Sequence, residues 1–321
     1  MERNFNFPPL VTYDIINNSN QELTLNIITE IEDFTNKEED TVKILPYSLI
    51  DVNHTPLFSA KALELEETCQ ANLKVRAIVG NQIAYQRTAR MELLASDTMI
   101  WEILNPLNRE IFYLYDFLAT WVTPHSKVIE NVISIAKEYH KDKSLEGYQT
   151  ALENQEISRS VDLQCEAIFM ALKELGISYV DASLSFGWNK NFASQRIKLP
   201  FNTIKTKAAN CIDGTVLFAS LLEHVGIQPI VILVPRHALI GWRPYPNSNT
   251  IMPLETTLIA SCDYKTAVLN GTRSLERGLQ AAKEISGHNN MRIEEAISHG
   301  YIRFIEISSL RERKIFPRRT Q

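Results

Sequence analysis

Apolar and polar residues alternate in short runs over the first hundred positions. The alternation covers residues 11–15 and 23–27, and it returns over residues 73–85, where Gly80-Asn81 marks a hairpin turn. Several short strands at this spacing predict a small antiparallel β-sandwich over residues 1–97. No potential catalytic side chains are grouped in this stretch, so we interpret it as an interaction or scaffold domain.

Helical spacing replaces this alternation in the middle of the chain. Apolar residues recur every three or four positions over residues 126–140 and 161–175, and Gly176 is placed to end the second of these helices. We therefore predict a helical connection over residues 98–160, followed by an α+β domain over residues 161–321. Two further elements are predicted near the end of the chain, a helix over 274–285 and a strand over 301–307.

Four buried elements follow one another between residues 210 and 257. Asn210 can cap a helix that begins at Cys211, and a β-branched strand follows over residues 230–234. His237 opens the next strand after a Pro-Arg interruption, and a further strand carries Glu255. This order predicts a nucleophile at a helix end, a base on the neighbouring sheet and an acid on the adjacent strand.

The chemistry of such a group is that of a cysteine–histidine pair. A cysteine in the first turn of a helix lies at the positive end of the helix dipole, beside unpaired backbone N–H groups. Both features favour the thiolate, which is the nucleophilic form, and the same N–H groups can stabilise an oxyanion. His237 is the predicted base and Glu255 the acid that fixes its tautomer, with Asp263 as the alternative acid.

Three short motifs between Gln195 and Thr257 add a family resemblance. They are Asn210-Cys211-Ile212-Asp213 with a helix end at Val225-Gly226-Ile227, then His237, 26 residues after the cysteine, then Leu254-Glu255-Thr256-Thr257. Together they resemble the transglutaminase-like, papain-related cysteine peptidase superfamily, which usually has an aspartate at the position of Glu255. A closer likeness, through Gln195–Pro200 and Val234–Ala238, is to a module near the start of large bacterial helicase and nuclease proteins. This sequence holds no helicase part, so the likeness gives no basis for assigning DNA unwinding.

The resemblance implies an α+β transglutaminase-like (papain-like) domain after the N-terminal sandwich. The implied activity is acyl transfer from an amide to the thiolate of Cys211, aided by His237 and oriented by Glu255. A protease or isopeptidase acting on a protein is the favoured reading, with no metal or organic cofactor. The alternatives are a transamidase that cross-links proteins, and a catalytically silent scaffold that binds a partner protein.

The resemblance also suggests supporting residues around the triad. Gln195 is a candidate side-chain donor to the oxyanion, as upstream glutamines are in related folds, and Trp188 is a second candidate. Asp213 lies inside the first helical turn, where a carboxylate can cap N–H groups. We interpret Asp213 as a structural residue that orients the loop, with a direct catalytic part as the alternative.

The net charge and the cysteine positions indicate which kinds of partner and which cellular compartment the sequence predicts. A net charge of −5 and a pI near 5.9 argue against a general nucleic-acid binder. The sequence contains no run of about 18 apolar residues, so it predicts no membrane-spanning helix. Four scattered cysteines without an export signal predict free thiols in the cytoplasm. The oligomeric state is left open. Basic residues cluster at the C-terminus, where we expect a short solvated tail: Arg311, Arg313, Lys314, Arg318 and Arg319.

Overall fold

A computed structural model of the protein describes residues 9–105, 108–148, 153–181, 186–189 and 192–318. The fold is mixed α+β with several antiparallel sheets, and the chain divides into two compact units, Met1–Thr98 and Met99–Gln321. Among the described residues, no helix is long and apolar enough to cross a membrane.

The first unit is built from strands, as the alternating pattern predicted. Its elements are β1 (Val11–Ile16), β2 (Leu23–Ile31), β3 (Glu38–Ile44), β4 (Leu49–His54), α1 (Ala60–Leu63), β5 (Cys69–Val79) and β6 (Gln82–Leu93). Strands β1 and β4 form one sheet, and a second sheet has the order β3-β2-β5-β6, with every pair antiparallel. Gly80 has a φ of 58° in the β5–β6 turn, a conformation that favours glycine. Side chains of both sheets meet in one apolar cluster around Leu25, Ile27 and Val52.

The first unit also contains a buried polar chain that the sequence did not reveal. Thr29 Oγ1 lies 2.7 Å from His54 Nδ1, and His54 Nε2 lies 3.3 Å from Asp40 Oδ2, while the Tyr13 hydroxyl contacts Thr29. The expectation that this stretch groups no potential catalytic side chains is therefore wrong. Thr29 and His54 are fully buried whereas Asp40 is exposed, and the hydrogen bonds among them satisfy the polar groups inside the unit.

The second unit mixes strands and helices. Its elements are β7 (Thr98–Leu104), β8 (Ile111–Tyr113), a 3₁₀ helix (Tyr115–Trp121), α2 (Lys127–Tyr139), α3 (Asn154–Glu174), β9 (Ser178–Tyr179), β10 (Phe186–Asn189), β11 (Phe192–Arg196), α4 (Pro200–Thr206), β12 (Ala208–Ala209), α5 (Cys211–His224), β13 (Pro229–Val234), β14 (His237–Trp242), β15 (Met252–Leu254), a second 3₁₀ helix (Thr256–Leu258), α6 (Tyr264–Ser286), α7 (Ile293–Ser298), β16 (Arg303–Glu306) and α8 (Ile307–Glu312). Residues 98–160, predicted as a helical connection, include β7 and β8 as well as α2. Helix α3 crosses residue 160.

A four-stranded antiparallel sheet with the order β15-β14-β13-β16 forms the centre of this unit. One face, with Val231 and Ile240, packs into the large core that contains α5. The opposite face, with Ile232 and Leu239, packs against apolar residues of α6 and α7. Because both faces of the sheet are covered, β13 consists of apolar residues throughout. This continuous apolar run is the pattern that predicted a buried strand.

The C-terminal basic residues are not a solvated tail, so that expectation is wrong. The guanidinium of Arg311 pairs with both carboxylate oxygens of Glu223 on α5, at 2.8 and 2.9 Å, and also donates to backbone carbonyl oxygens. Arg313 pairs with Asp116, and the backbone N–H of Arg318 donates to Thr120 O. Two long-range ion pairs therefore fasten this segment to the second unit; Arg319 lies outside the described residues.

Candidate active site

Cys211 is the first residue of α5 because Asn210 caps the helix. Asn210 Oδ1 accepts from the Asp213 N–H at 2.9 Å, and the Asn210 N–H donates to the Asp213 carboxylate at 3.2 Å. This reciprocal capping box fixes the start of the helix where the sequence predicted it. The backbone N–H groups of Cys211 and Ile212, in the first turn, have no intrahelical acceptor and point out of the helix end.

The Asp213 carboxylate bonds to two segments of the backbone near the start of α5. Its second carboxylate oxygen accepts from the Lys198 N–H at 2.8 Å, so one buried carboxylate joins the connection before α4 to the first turn of α5. This contact explains why an acidic residue follows the cysteine by two positions. The predicted role of orienting the loop fits these bonds.

The β13–β14 hairpin positions His237. Pro235 and Arg236 form a two-residue turn, with Arg236 at a φ of 66°, and the register pairs Val234 with His237. Proline presets the first turn position, and the left-handed second position reverses the chain. His237 is therefore the first residue of β14, at the end of the sheet and only half-buried.

Glu255 reaches His237 from the neighbouring strand. Strand β15 pairs with β14 through Leu254 and Ile240, and Glu255 follows at once. Its Oε2 lies 2.7 Å from His237 Nε2, and its Oε1 accepts from the Thr257 hydroxyl at 2.7 Å. The carboxylate is almost fully buried, at 5% exposure, so its charge is held by hydrogen bonds rather than by water.

The Cys211 thiol is near enough to His237 for its interaction with the imidazole to raise the pKa of that ring. Because Glu255 occupies Nε2, Nδ1 is the ring nitrogen that remains for the sulfur. The imidazole thus lies between a thiol at a helix N-terminus and a buried carboxylate. This is the arrangement of a nucleophile, a general base and an orienting acid.

The pKa values within the site follow from these contacts. Burial lowers the pKa of His237, but hydrogen bonds to Cys211 and Glu255, with the negative charges of both, outweigh burial and raise this pKa to about 10. Burial raises the pKa of Glu255, but the hydrogen bond and positive charge of His237, with the bonds from Thr257, hold it below its usual range. At neutral pH the two groups are therefore an imidazolium–carboxylate pair.

A close approach between α5 and the segment after Glu255 brings the two parts of the site together. A Cβ atom at Gly214 would lie 2.9 Å from Thr256 Oγ1, and this hydroxyl is 3.5 Å from the Cys211 carbonyl oxygen. A larger residue at position 214 would push the acid-bearing segment away from the helix start. Gly214 is thus needed for packing three residues after the nucleophile.

Asp263, the alternative acid, serves a different purpose. Its carboxylate caps α6 by accepting from the Thr266 N–H at 2.7 Å, and the residue is exposed. Hydrogen bonds to Thr266 hold the pKa of Asp263 below its usual range. Between the two candidate acids, Glu255 is the one in contact with His237.

Of the two predicted oxyanion donors, only Gln195 has a side chain within the described part of the chain. Gln195 is buried on β11, and no hydrogen bond links it to Cys211, His237 or Glu255 among the described residues. The backbone of Trp188 lies on β10, and its side chain lies outside the described part of the chain. Neither prediction is tested by a contact in this structure.

The three other cysteines have different surroundings from Cys211. Cys165 is fully buried in α3, and burial raises the pKa of its thiol. Cys69 belongs to the first unit, and Cys262 contacts the Ser261 hydroxyl. All four cysteines are free thiols.

Three further residues near the site were not predicted from the sequence. Ser274 Oγ donates to Glu255 Oε2 at 3.0 Å, and Arg277 donates to Ser274 Oγ at 2.8 Å. Tyr179 pairs with Ala209 in the parallel β9–β12 ladder, and Ala209 lies two residues before Cys211. Burial raises the pKa of Tyr179, and negative charge on Asp181, Cys211 and Glu255 raises this pKa further.

No protein-family model matches the chain, and no curated protein sequence matches it.

Proposed function

We propose that this protein is a cysteine-dependent acyl-transfer enzyme, a protease or isopeptidase that acts on a protein substrate. The observation that carries the proposal is the imidazole of His237, held between the Cys211 thiol at a helix N-terminus and the Glu255 carboxylate 2.7 Å away. In this proposal the second unit is a transglutaminase-like, papain-related domain. The first unit is a β-sandwich that recognises the protein partner, and free thiols suit a cytoplasmic location.

The proposed reaction has two halves. The Cys211 thiolate attacks the amide carbonyl carbon, and the carbonyl π electrons move to oxygen to form a tetrahedral oxyanion. When the C–N bond breaks, the His237 imidazolium gives its proton to the leaving amine, and a thioester to Cys211 remains. His237 then takes a proton from water, and the hydroxide attacks the thioester carbon. The C–S bond breaks, which releases the carboxylic acid and restores the Cys211 thiolate beside the His237 imidazolium.

Two features of the fold support these steps. The free N–H groups at the start of α5 can donate to the oxyanion. Donors that are already in place stabilise the negative charge that develops on this oxygen in the transition state. The Glu255 carboxylate holds His237 Nε2 as the protonated nitrogen, so that Nδ1 exchanges its proton with the sulfur. No step of this reaction calls for a cofactor.

The test is selective alkylation of the full chain. Iodoacetamide at neutral pH, with the modified cysteines quantified by mass spectrometry, should label Cys211 fastest, and His237→Ala should slow this labelling. Cys262 is the internal control, since it is also partly exposed but contacts the Ser261 hydroxyl rather than an imidazole. Equal labelling of Cys211 and Cys262 would contradict the proposal.

A second experiment separates hydrolysis from transamidation. A protein substrate is incubated with the enzyme and a fluorescent primary amine. Chain cleavage or deamidation without amine incorporation identifies water as the acceptor, and amine incorporation identifies a transamidase. Cys211→Ser is the control, and a fast-labelling Cys211 with neither product would favour the scaffold.

A further inference from the structure

Helix α6 reaches the triad through one hydroxyl group. Ser274 is 4% exposed, and its Oγ lies 3.0 Å from Glu255 Oε2, the same oxygen that accepts from His237 Nε2. On its outer side, Ser274 Oγ accepts from Arg277 Nη2 at 2.8 Å. A continuous chain of hydrogen bonds therefore runs from an exposed guanidinium, through Ser274, to the acid of the triad.

The direction of these hydrogen bonds is fixed by chemistry. A guanidinium has only donors, so Arg277 must give a hydrogen to Ser274 Oγ. The single hydroxyl hydrogen of Ser274 is then free to point at Glu255 Oε2, and the carboxylate accepts it. The positive charge of Arg277 polarises the hydroxyl, which strengthens the bond to Glu255.

Glycines on both sides of Ser274 permit this contact. A Cβ atom at Gly271 would lie 2.7 Å from Pro253 O and 2.8 Å from the backbone of Leu254, just before Glu255. A Cβ atom at Gly278 would lie 2.5 Å from Val234 Cβ, next to the turn that carries His237. Helix α6 is thus pressed against β15, which ends just before Glu255, and against β13, which ends just before the turn to His237, with Ser274 between the two contacts.

We propose that Ser274 and Arg277 are positioning residues of the triad, which hold the Glu255 carboxylate charged and aimed at His237. The need arises because glutamate has one more rotatable bond than aspartate and can swing away from the imidazole. Thr257 holds one carboxylate oxygen, and Ser274 holds the other. This inference rests on the proposed function, because it assigns a role within the same triad.

The test is the pH profile of Cys211 alkylation by iodoacetamide in the full chain. Ser274→Ala removes a donor to the Glu255 carboxylate, so Glu255 is neutralised at a higher pH and the imidazolium loses its partner there. The acid limb of the profile should move to higher pH, with an alkylation rate about three- to tenfold lower on that limb. Arg277→Gln should move it in the same direction by less.

Controls separate positioning from damage to the fold. Arg273→Gln removes the same charge from the same exposed side of α6, one turn from Arg277, and its profile should superimpose on that of the unmodified chain. At pH above the limb, all three variants should react at the rate of the unmodified chain, whereas a distorted site would react slowly at every pH. Should Ser274→Ala fail to fold, the exposed Arg277 variant decides the question.

Two outcomes have distinct meanings. A wild-type Cys211 that is no more reactive than Cys262 overturns the proposed function itself. A reactive Cys211 whose acid limb is unmoved in folded Ser274→Ala and Arg277→Gln overturns only the positioning role.

Discussion

At the scale of single residues, the Glu255 carboxylate is the most heavily supported charge in the site. It accepts from His237, Ser274 and both the backbone and the hydroxyl of Thr257. A buried carboxylate needs such donors to stay ionised. The threonine two positions after the acid is therefore explained as its donor, which gives the Glu-x-Thr spacing a physical reason.

The first prediction concerns the charge of this residue. Glu255→Gln keeps the size of the side chain but removes the negative charge that favours the imidazolium, so the thiolate loses its cationic partner. We expect the alkylation rate of Cys211 at pH 7 to fall about tenfold or more. Asp263→Asn is the matched control, because asparagine caps a helix as well as aspartate does, and it should leave the rate unchanged. A larger effect at position 263 would transfer the acid role there.

The second prediction concerns stability as a function of pH. The pKa of His237 is raised from 6.5 to about 10, so its stabilising effect is complete below pH 6.5 and is lost as the pH rises through 10. The pKa of Glu255 is lowered from 4.5, so its effect is complete above pH 4.5 and is lost as the pH falls below that value. Urea unfolding should show the largest difference between wild type and Glu255→Gln between pH 4.5 and 6.5. A difference that is constant from pH 5 to pH 10 would contradict the pairing.

At the scale of elements, the site depends on how closely α6 packs against the sheet. The contact at Gly271 is with backbone atoms, which cannot turn aside, whereas the contact at Gly278 is with the branched side chain of Val234. Gly271 is therefore the stricter of the two positions. The same packing sets the distance between Ser274 and Glu255.

The third prediction follows from this packing. Gly271→Ala should destabilise the protein by about 1–3 kcal/mol, since the overlap with Pro253 O outweighs the gain in helix propensity. Chemical denaturation measures this change, and iodoacetamide reports whether Cys211 slows as α6 moves outward. Thr272→Ala, at the exposed neighbouring position, is the control and should change stability by less than about 0.7 kcal/mol. A stabilised Gly271→Ala variant would show that α6 is not held close.

Local chemistry explains which elements the sequence could predict. Asn210 and Asp213 mark the start of α5, Gly226 with a φ of 80° marks its end, and Pro235-Arg236 marks the hairpin before His237. Each signal lies within a few residues of the feature it predicts. Cys211 and His237 could therefore be placed on their elements from the sequence alone, whereas Glu255, predicted on a strand, directly follows the end of β15.

The missed residues depend on contacts between distant segments. Ser274 contacts Glu255 only because α6 packs against the sheet. The spacing of apolar residues in α6 predicts a helix, but it does not predict which groups the polar residues of that helix contact. The helix was also predicted to begin at residue 274, whereas it begins at Tyr264, capped by Asp263. Tyr179 approaches the site through a two-residue parallel pair, which is too short to leave a periodic signal.

At the scale of the whole molecule, all three triad residues lie in the second unit. Trp101 and Trp121 belong to the apolar core of that unit, and the indole N–H of Trp121 donates to Ile197 O at 3.1 Å. The cores of the first unit consist of its own side chains. Each unit thus has the apolar interior that independent folding requires.

The last prediction is that residues 98–321 retain the reactive thiol without the first unit. This fragment keeps β7 whole, together with the core around Trp101, the capped start of α5 and the hairpin that carries His237. Iodoacetamide should therefore label Cys211 in the fragment at the rate seen in the full chain, and circular dichroism should show a folded domain. Recognition of a protein partner should be lost, because we assign that role to the first unit. Pull-down from a cell extract with both proteins immobilised compares this property, and Cys211→Ala in the full chain controls for capture by the thiol alone. A folded fragment with an unreactive Cys211 would show that residues before 98 help to build the site, and the division between recognition and chemistry would then be wrong.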